Sequence, residues 1–450
     1  KLYETEAEAG LACLSAGMDV ELPDTVCFNE EMKAMFAQGK ADMALLDQAV
    51  RRVLRAKFRM GLFEHPFALT GSALSEMVHH PEDELITLQS ALESLVLLKN
   101  DNHVLPVGKN VRKIALIGPH ADNARHFFGG YTHLSMVEAI HAVMNSLAGV
   151  DASNTERKPM LTVPGTQVQS DETEEFAQIG RQIKPDCPSL LAKLTSSLPD
   201  AEITYAYGYP IAGADESHFA EALQAAAGAD LVILTLGGKH GSGSVATMGE
   251  GVDATDINLP RCQDAFIRAA ANLHKPMIGI HFGGRPISSD AADECLDAIL
   301  EAWNPSEMGA EALTRVLTGE TAPSGRMPVT TARSAGQIPV YYNHPNGSSW
   351  HQGDSIGFQE YVDMPHRPRY YFGQGLSYTT FAYDGLRIDK EEVGPREEIT
   401  VSCQVTNTGS RAGTEVVQLY LRDEQACMVR PVQELVGFAR VALEPGESRQ

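Results

Sequence analysis

The chain has no apolar run near the twenty residues that a membrane-spanning helix needs; runs such as DLVILTLGG are of strand length. Positive charge is scarce. Across 450 residues, 36 Lys and Arg stand against 59 Asp and Glu, a formal net charge of −23 at pH 7. That imbalance argues against nucleic acid and anionic membranes as partners and leaves neutral substrates, sugars included, open. Cysteine is sparse as well. Seven are scattered without a Cys-x-x-Cys pair, which excludes a disulfide framework and a zinc ribbon. It favours a reducing compartment, a bacterial cytoplasm over secretion.

Nucleotide and nucleophile signatures are also missing. LGGKHGSGS is glycine-rich without being G-x-x-x-x-G-K-[ST], and GPHADN follows the apolar KIALI without forming G-x-G-x-x-G. No G-x-S-x-G marks a serine hydrolase, and the histidines do not fall in metal-ligand spacing. No cofactor and no metal is expected.

The length suggests two or three domains. Residues 1–66 read as helix and loop. Leu45, Val50, Val53 and Leu54 recur at helical spacing, Arg51, Arg52, Arg55 and Lys57 follow late in that helix, and Gly61 stops it. A polar linker is expected over 67–84. From 85 to 342 short apolar runs alternate with helical stretches. KIALIGP, EITYAYG, DLVILTLGG, PMIGIHFGG and AILEAWNP are read as strands; HFAEALQAAAGA and PRCQDAFIRAAANLHK are read as helices. Alternation of this kind predicts an α/β domain with a mostly parallel sheet covered by helices. An aromatic- and proline-rich connector is expected over 343–383. Over 384–450, EITVSCQVTNTG and GTEVVQLYLRD alternate at period two around an Asn-Thr-Gly turn, which predicts a small antiparallel β-sandwich. The chain starts at Lys1 and stops at Gln450 in mid-pattern and reads as a fragment.

In a parallel sheet, ligands meet the loops after the carboxyl ends of strands. Gly237–Pro260 is such a loop, long and rich in Gly and Ser, and it contains TMGEGVDATDINLP. Glu250 lies there between two glycines and is the best chemical candidate. A carboxylic acid is suited to general acid/base work, and glycoside hydrolysis needs one acid and one nucleophile or base. Asp253 and Asp256 are near, but Asp256 reads as part of the entry to the next helix. Lys239 and His240, side by side in GGKHGS, are read either as solvated loop residues or as substrate contacts.

Taken in order along the chain, AGMDVELP, LLDQAVRRVLRAKFRMGLFE, ALESLVLLKNDNHVLPV, IALIGPHADN, PSGRMPVT, YYFGQGLSYTTFAY, VTNTGSRAGTEVVQLYLRD and RPVQELVGFARVALEPGE resemble glycoside hydrolase family 3, the β-glucosidase and β-xylosidase family. The resemblance implies the C-terminal helices of a (β/α) barrel remnant, then an α/β sandwich domain, then an incomplete fibronectin type III-like β-sandwich. It also implies an aspartate nucleophile from the barrel, expected upstream of Lys1. The acid/base is the glutamate of a Glu-Gly-x-Asp-Arg stretch, which GEGVDATDINLP places at Glu250. Ala254 stands where the usual arginine would be, so substrate preference does not carry over. Asp19 in AGMDVELP follows the nucleophile's place in the family pattern and is not a candidate.

The activity so implied is that of a retaining, exo-acting β-glycosidase that releases a terminal non-reducing β-D-glucosyl residue. The alternatives are a β-xylosidase and a catalytically inactive carbohydrate-binding relative. Substrates would be β-linked glucosides or short oligosaccharides, and any protein partner a further copy in a homo-oligomer. The 450 residues alone are expected to hydrolyse nothing.

Overall fold

A computed structural model of the chain describes residues 2–78, 80–147, 160–345, 360–394 and 396–450. It divides into two units, Lys1–Pro81 and Glu82–Gln450.

The first unit is built from helices α1 (Glu6–Ser15), α2 (Glu30–Ala37), α3 (Met43–Arg59) and α4 (Gly71–Val78). Thr5, Asn29 and Asp42 cap the first three through side-chain oxygens that accept from backbone N–H groups of the first turn. The core is small: Ala7, Leu14, Met32 and Ala49, with Leu11, Phe28, Phe36 and Leu45 against it. The other side of α3 is apolar and uncovered. Leu46, Val50, Leu54 and Phe58, each four residues from the next, are 36%, 47%, 41% and 62% exposed, a stripe of the kind that normally packs on a further layer. Asp19 is ion-paired with Arg52 at 2.9 Å, a structural contact. The polar linker expected over 67–84 instead contains α4 and the start of α5 (Pro81–Ser94). Apolar residues such as Leu74 and Met77 within it support helix but stay exposed.

After α5, the second unit opens with β1 (Val96–Asn100) and β2 (Lys113–Ile117), followed by α6 (His133–Leu147), α7 (Glu174–Ile183) and α8 (Leu190–Ser197). Then come β3 (Glu202–Ala206), α9 (Phe219–Ala227), β4 (Leu231–Gly237), α10 (Arg261–Ala271), β5 (Met277–Phe282), α11 (Asp290–Cys295), β6 (Ala298–Trp303) and α12 (Gly309–Thr318). The six strands form one sheet in the order β1-β6-β5-β4-β2-β3, parallel except for the antiparallel edge strand β1. Successive side chains point to opposite faces, and both faces are buried. Ile114, Leu116, Ile233 and Ile280 meet α8 and α12 through Leu190, Leu194, Leu313 and Leu317. Ala115, Ile117, Val232 and Leu234 meet α9, α10 and α11 through Ala222, Phe266, Ile267 and Ala292. Two-sided burial explains why these strands read as continuous apolar runs rather than alternations.

The connector expected over 343–383 lies partly outside the described residues, at 346–359. Beyond it, β7 (Phe381–Ile388), β8 (Val401–Asn407), β9 (Gly413–Leu421), β10 (Glu434–Leu443) and β11 (Ser448–Arg449) form two antiparallel sheets, β11-β8-β7 and β10-β9. The Asn-Thr-Gly turn therefore joins strands of different sheets and not the two arms of a hairpin. Asn407 makes that crossing. Fully buried, its Oδ1 accepts from Thr379 Oγ1 at 2.7 Å and Gly409 N–H at 3.1 Å. Its Nδ2 donates to the carbonyls of Arg411 at 2.8 Å and Leu443 at 3.0 Å. All four bonding positions of the amide are filled. Asn407→Ala leaves buried partners unsatisfied and should cost at least about 1–3 kcal/mol, read as an earlier unfolding midpoint in denaturant for this chain.

Candidate active site

The loop after β4 doubles back on itself. The N–H groups of Thr247 and Met248 donate to Lys239 C=O at 3.0 and 3.3 Å, and Gly241 N–H donates to Met248 C=O at 3.0 Å. The two glycines beside Glu250 have different causes. Gly249 has φ +134° and lies so close to the returning chain that a Cβ would stand 1.9 Å from Gly241 O. Gly251 faces open space but has φ +67°, a left-handed conformation that glycine adopts without penalty. Between them the chain turns sharply and holds Glu250 exposed at the tip. Tyr131, on the segment between β2 and α6, donates its hydroxyl to Glu250 Oε2. Asp256 accepts from Asn258 N–H at 3.0 Å, a local turn ahead of α10.

Lys239 is not a solvated residue and does not stand free for a sugar. It is 1% exposed. Its Nζ lies 2.5 Å from Glu138 Oε2 on α6 and 2.8 Å from Asp171 Oδ2. Arg125 Nη1 lies 2.6 Å from Glu138 Oε1 and 3.4 Å from Asp171 Oδ2, and His126 Nε2 lies 3.1 Å from the same Asp171 oxygen. Burial alone would raise the Asp171 carboxyl. Lys239, then His126 and Arg125, overcome it and hold that group well below the usual carboxylate range. His120 stands beside this cluster and bonds Gly238 C=O through Nε2 at 2.8 Å. Burial, reinforced by His126, keeps it neutral, with its pKa far below the ordinary imidazole value.

His240 turns the other way. Its Nδ1 receives Gly130 N–H at 3.4 Å and stands 3.1 Å from Asn304 Nδ2. Burial lowers its pKa, so the ring is neutral at pH 7. With Nδ1 occupied as an acceptor, the proton resides on Nε2. Asn304 follows Trp303, which has the unusual φ of +53°. Glu301, fully buried, holds that bend. It accepts from Trp303 N–H at 3.3 Å, from Ile287 N–H at 2.9 Å and from His281 Nδ1 at 2.8 Å. Arg285, on the loop after β5, donates to Thr247 C=O at 3.0 Å. Burial lowers its guanidinium pKa against the opposing pull of Asp253. Arg285 lines the same cleft as Ala254 and brings a cation there although Ala254 carries none. A cleft of about 650 Å³, lined by Thr247, Met248, Ala254, Asp256, His281 and Arg285 among others, runs beside the loop; Glu250 is outside its lining. Among the described residues no group of three or more His, Cys, Asp or Glu is placed to hold a metal ion, and no helix is long and apolar enough to cross a membrane.

The structure therefore gathers Glu250, His240 and Tyr131 around one turn and withdraws Lys239 into the interior. Tyr131, Asn304, Arg285 and the Asp171–Glu138 pair were missed in the sequence. They lie on the loops after β2, β5 and β6 and on segments packed beneath them. Following the carboxyl-end rule around every strand, beyond β4 alone, would have reached Tyr131, Arg285 and Asn304. Nothing local marks Asp171.

Lys239→Met strands two buried carboxylates with one remaining cation and should destabilise the chain by about 3–5 kcal/mol, measured by equilibrium unfolding in urea. The pH dependence has a definite sign. Asp171 titrates lower in the folded chain than unfolded, where its value is about 3.9, so its contribution is complete above that value and is lost as pH falls towards the folded value. Asp171→Asn should flatten the acid limb of the stability–pH curve.

Comparison with known proteins accords with this architecture. A profile of the glycosyl hydrolase family 3 C-terminal domain matches residues 95–378, and one of a fibronectin type III-like domain matches 415–450. A periplasmic β-glucosidase of Salmonella typhimurium is 32% identical over 98% of this chain and 54% of its own length. A putative β-xylosidase of Formosa agariphila is 32% identical over 99% of this chain and 51% of its own. The crystal structure of a Listeria innocua β-glucosidase in complex with gluconolactone superposes with a TM-score of 0.71 at 27% identity, covering 99% of this chain and 54% of that one. The chain spans about half the length of the curated relatives it matches. By the family match over most of its length, the chain belongs to glycoside hydrolase family 3, of which it carries the C-terminal domain.

Proposed function

We propose that this chain supplies the general acid/base, Glu250, of a retaining exo-acting β-glycosidase that releases terminal non-reducing β-D-glucosyl residues. The observation that carries the reading is the exposed carboxyl of Glu250, held at the tip of a glycine-bounded turn at the carboxyl end of β4 within GEGVDATDINLP. The nucleophile is an aspartate of the catalytic barrel, outside these 450 residues. It attacks the anomeric carbon while Glu250 protonates the departing glycosidic oxygen. Glu250 then takes a proton from the water that cleaves the glycosyl ester. His240, with Nε2–H as a donor, is a contact for a sugar hydroxyl. Substrates are β-linked glucosides or short oligosaccharides; a Listeria relative has been solved with laminaribiose. The scattered cysteines favour a cytoplasmic enzyme, against the periplasmic name of the Salmonella relative.

A β-xylosidase is the second reading, favoured by two Formosa agariphila relatives of 32% and 30% identity. Relative turnover of aryl β-glucoside and aryl β-xyloside by the full-length enzyme separates the two.

Glu250→Gln in the full-length enzyme tests the acid/base role. Cleavage of disaccharides, whose leaving groups need protonation, should fall by about 10²–10⁴-fold. A dinitrophenyl glycoside needs little acid, so its first step should survive and the glycosyl-enzyme should accumulate as a burst. Azide needs no base and should restore turnover, giving a β-glycosyl azide. Equal loss on both substrates with no response to azide removes Glu250 from the role.

A further inference from the structure

We propose that Tyr131 is a positioning residue for Glu250: its hydroxyl occupies Oε2, so the proton exchanged in catalysis is carried on Oε1. The inference rests on the acid/base reading of Glu250 and names the group that orients that side chain.

Tyr131 is 73% exposed, so burial of its ring does not hold it in place. Its backbone is left-handed, with φ +65°, a conformation disfavoured for a bulky side chain. Outliers of this kind persist where neighbouring contacts over-determine them. Thr132 Oγ1 donates to Gly129 C=O at 2.8 Å and closes the turn on one side. Gly130 N–H reaches His240 Nδ1 at 3.4 Å on the other. Glu138, further along on α6, is ion-paired with Lys239. Two adjacent residues of the β4 loop, Lys239 and His240, thus fix the segment that carries Tyr131. From there the phenol returns to the same loop at Glu250. The circuit leaves a strained, exposed tyrosine whose hydrogen bond goes to the Glu250 carboxyl.

A phenol hydroxyl donates to a carboxyl oxygen in either protonation state of that carboxyl. When Glu250 is protonated, its proton sits on Oε1 and passes to the glycosidic oxygen as the bond to the anomeric carbon breaks. In the second step Oε1 accepts the proton of the attacking water. Tyr131 keeps its own proton throughout, so both steps balance through one oxygen.

Tyr131→Phe removes only the hydroxyl. In the full-length enzyme, kcat/KM should fall by about tenfold to 10²-fold for substrates with poor leaving groups, the scale of a misaligned catalytic group. It should stay within about twofold for a dinitrophenyl glycoside, whose departure needs little acid. In a Glu250→Gln background the same substitution should add nothing. The melting temperature of the 450-residue chain should not change, because the ring is exposed. An equal loss on both classes of substrate, a lowered melting temperature that accounts for the loss, or no loss with poor leaving groups each overturns the proposal. If Glu250→Gln behaves as an acid/base variant and Tyr131→Phe shows no leaving-group split, only this inference falls. If Glu250→Gln shows no azide rescue, the acid/base reading falls and this one with it.

Discussion

Two cations and two carboxylates, Lys239, Arg125, Glu138 and Asp171, are enclosed together beneath the β4 loop, and the geometry above them depends on that enclosure. Burying any one of these charges alone would cost several kcal/mol. Together they balance, and each is within reach of an opposite charge. The cluster joins a strand-end loop, the turn after β2, helix α6 and the chain approaching α7. An apolar patch could join the same segments with comparable stability, but it would not fix which atoms face which. Directional contacts matter here because the next residue, His240, begins the part of the loop that leads to Glu250, the proposed acid/base.

Backbone strain occurs at both ends of the sheet: among the described non-glycine residues, Asn102, His103 and His274 have positive φ at its amino end. Tyr131, Trp303 and Ser306 have positive φ at its carboxyl end, Trp303 as the last residue of β6 and the other two on loops. The rest of the structure holds them there. Glu301, cross-strand neighbour of His281, reaches out of the sheet to bind the backbone at both Ile287 and Trp303. A buried acid on a central strand is thus an organiser of two loops. Arg285 comes from one of them and Asn304 from the other.

The β-sandwich shows the same economy on a smaller scale. Its two sheets are linked at Asn407, whose amide bonds backbone from the turn and from β10 and a side chain before β7. A polar side chain is suited to that place because the crossing backbone has no ladder partner there and would otherwise leave buried groups unsatisfied.

The parallel sheet, its helices and the position of the Glu250 loop were legible in the sequence, because strands buried on both faces are written as apolar runs and a long glycine-rich segment after such a run marks a strand-end loop. GEGVDATDINLP also pointed to Glu250 itself. The role of Lys239 was not legible. A lysine between glycine and histidine looks solvated, and its partners Glu138 and Asp171 are 101 and 68 residues away from it in sequence, brought near only by packing of α6 and the segment before α7. Tyr131 was hidden for the same reason: it lies 119 residues from Glu250. The Asn-Thr-Gly turn was legible as a turn, but local turn chemistry is the same for a hairpin and for a crossing between sheets, so which of the two it makes was not. Local periodicity and glycine placement are properties of neighbouring residues, so the sequence carries them. Which charge meets which, and which hydroxyl reaches the acid, are properties of chain segments far apart, and only the folded sheet decided them.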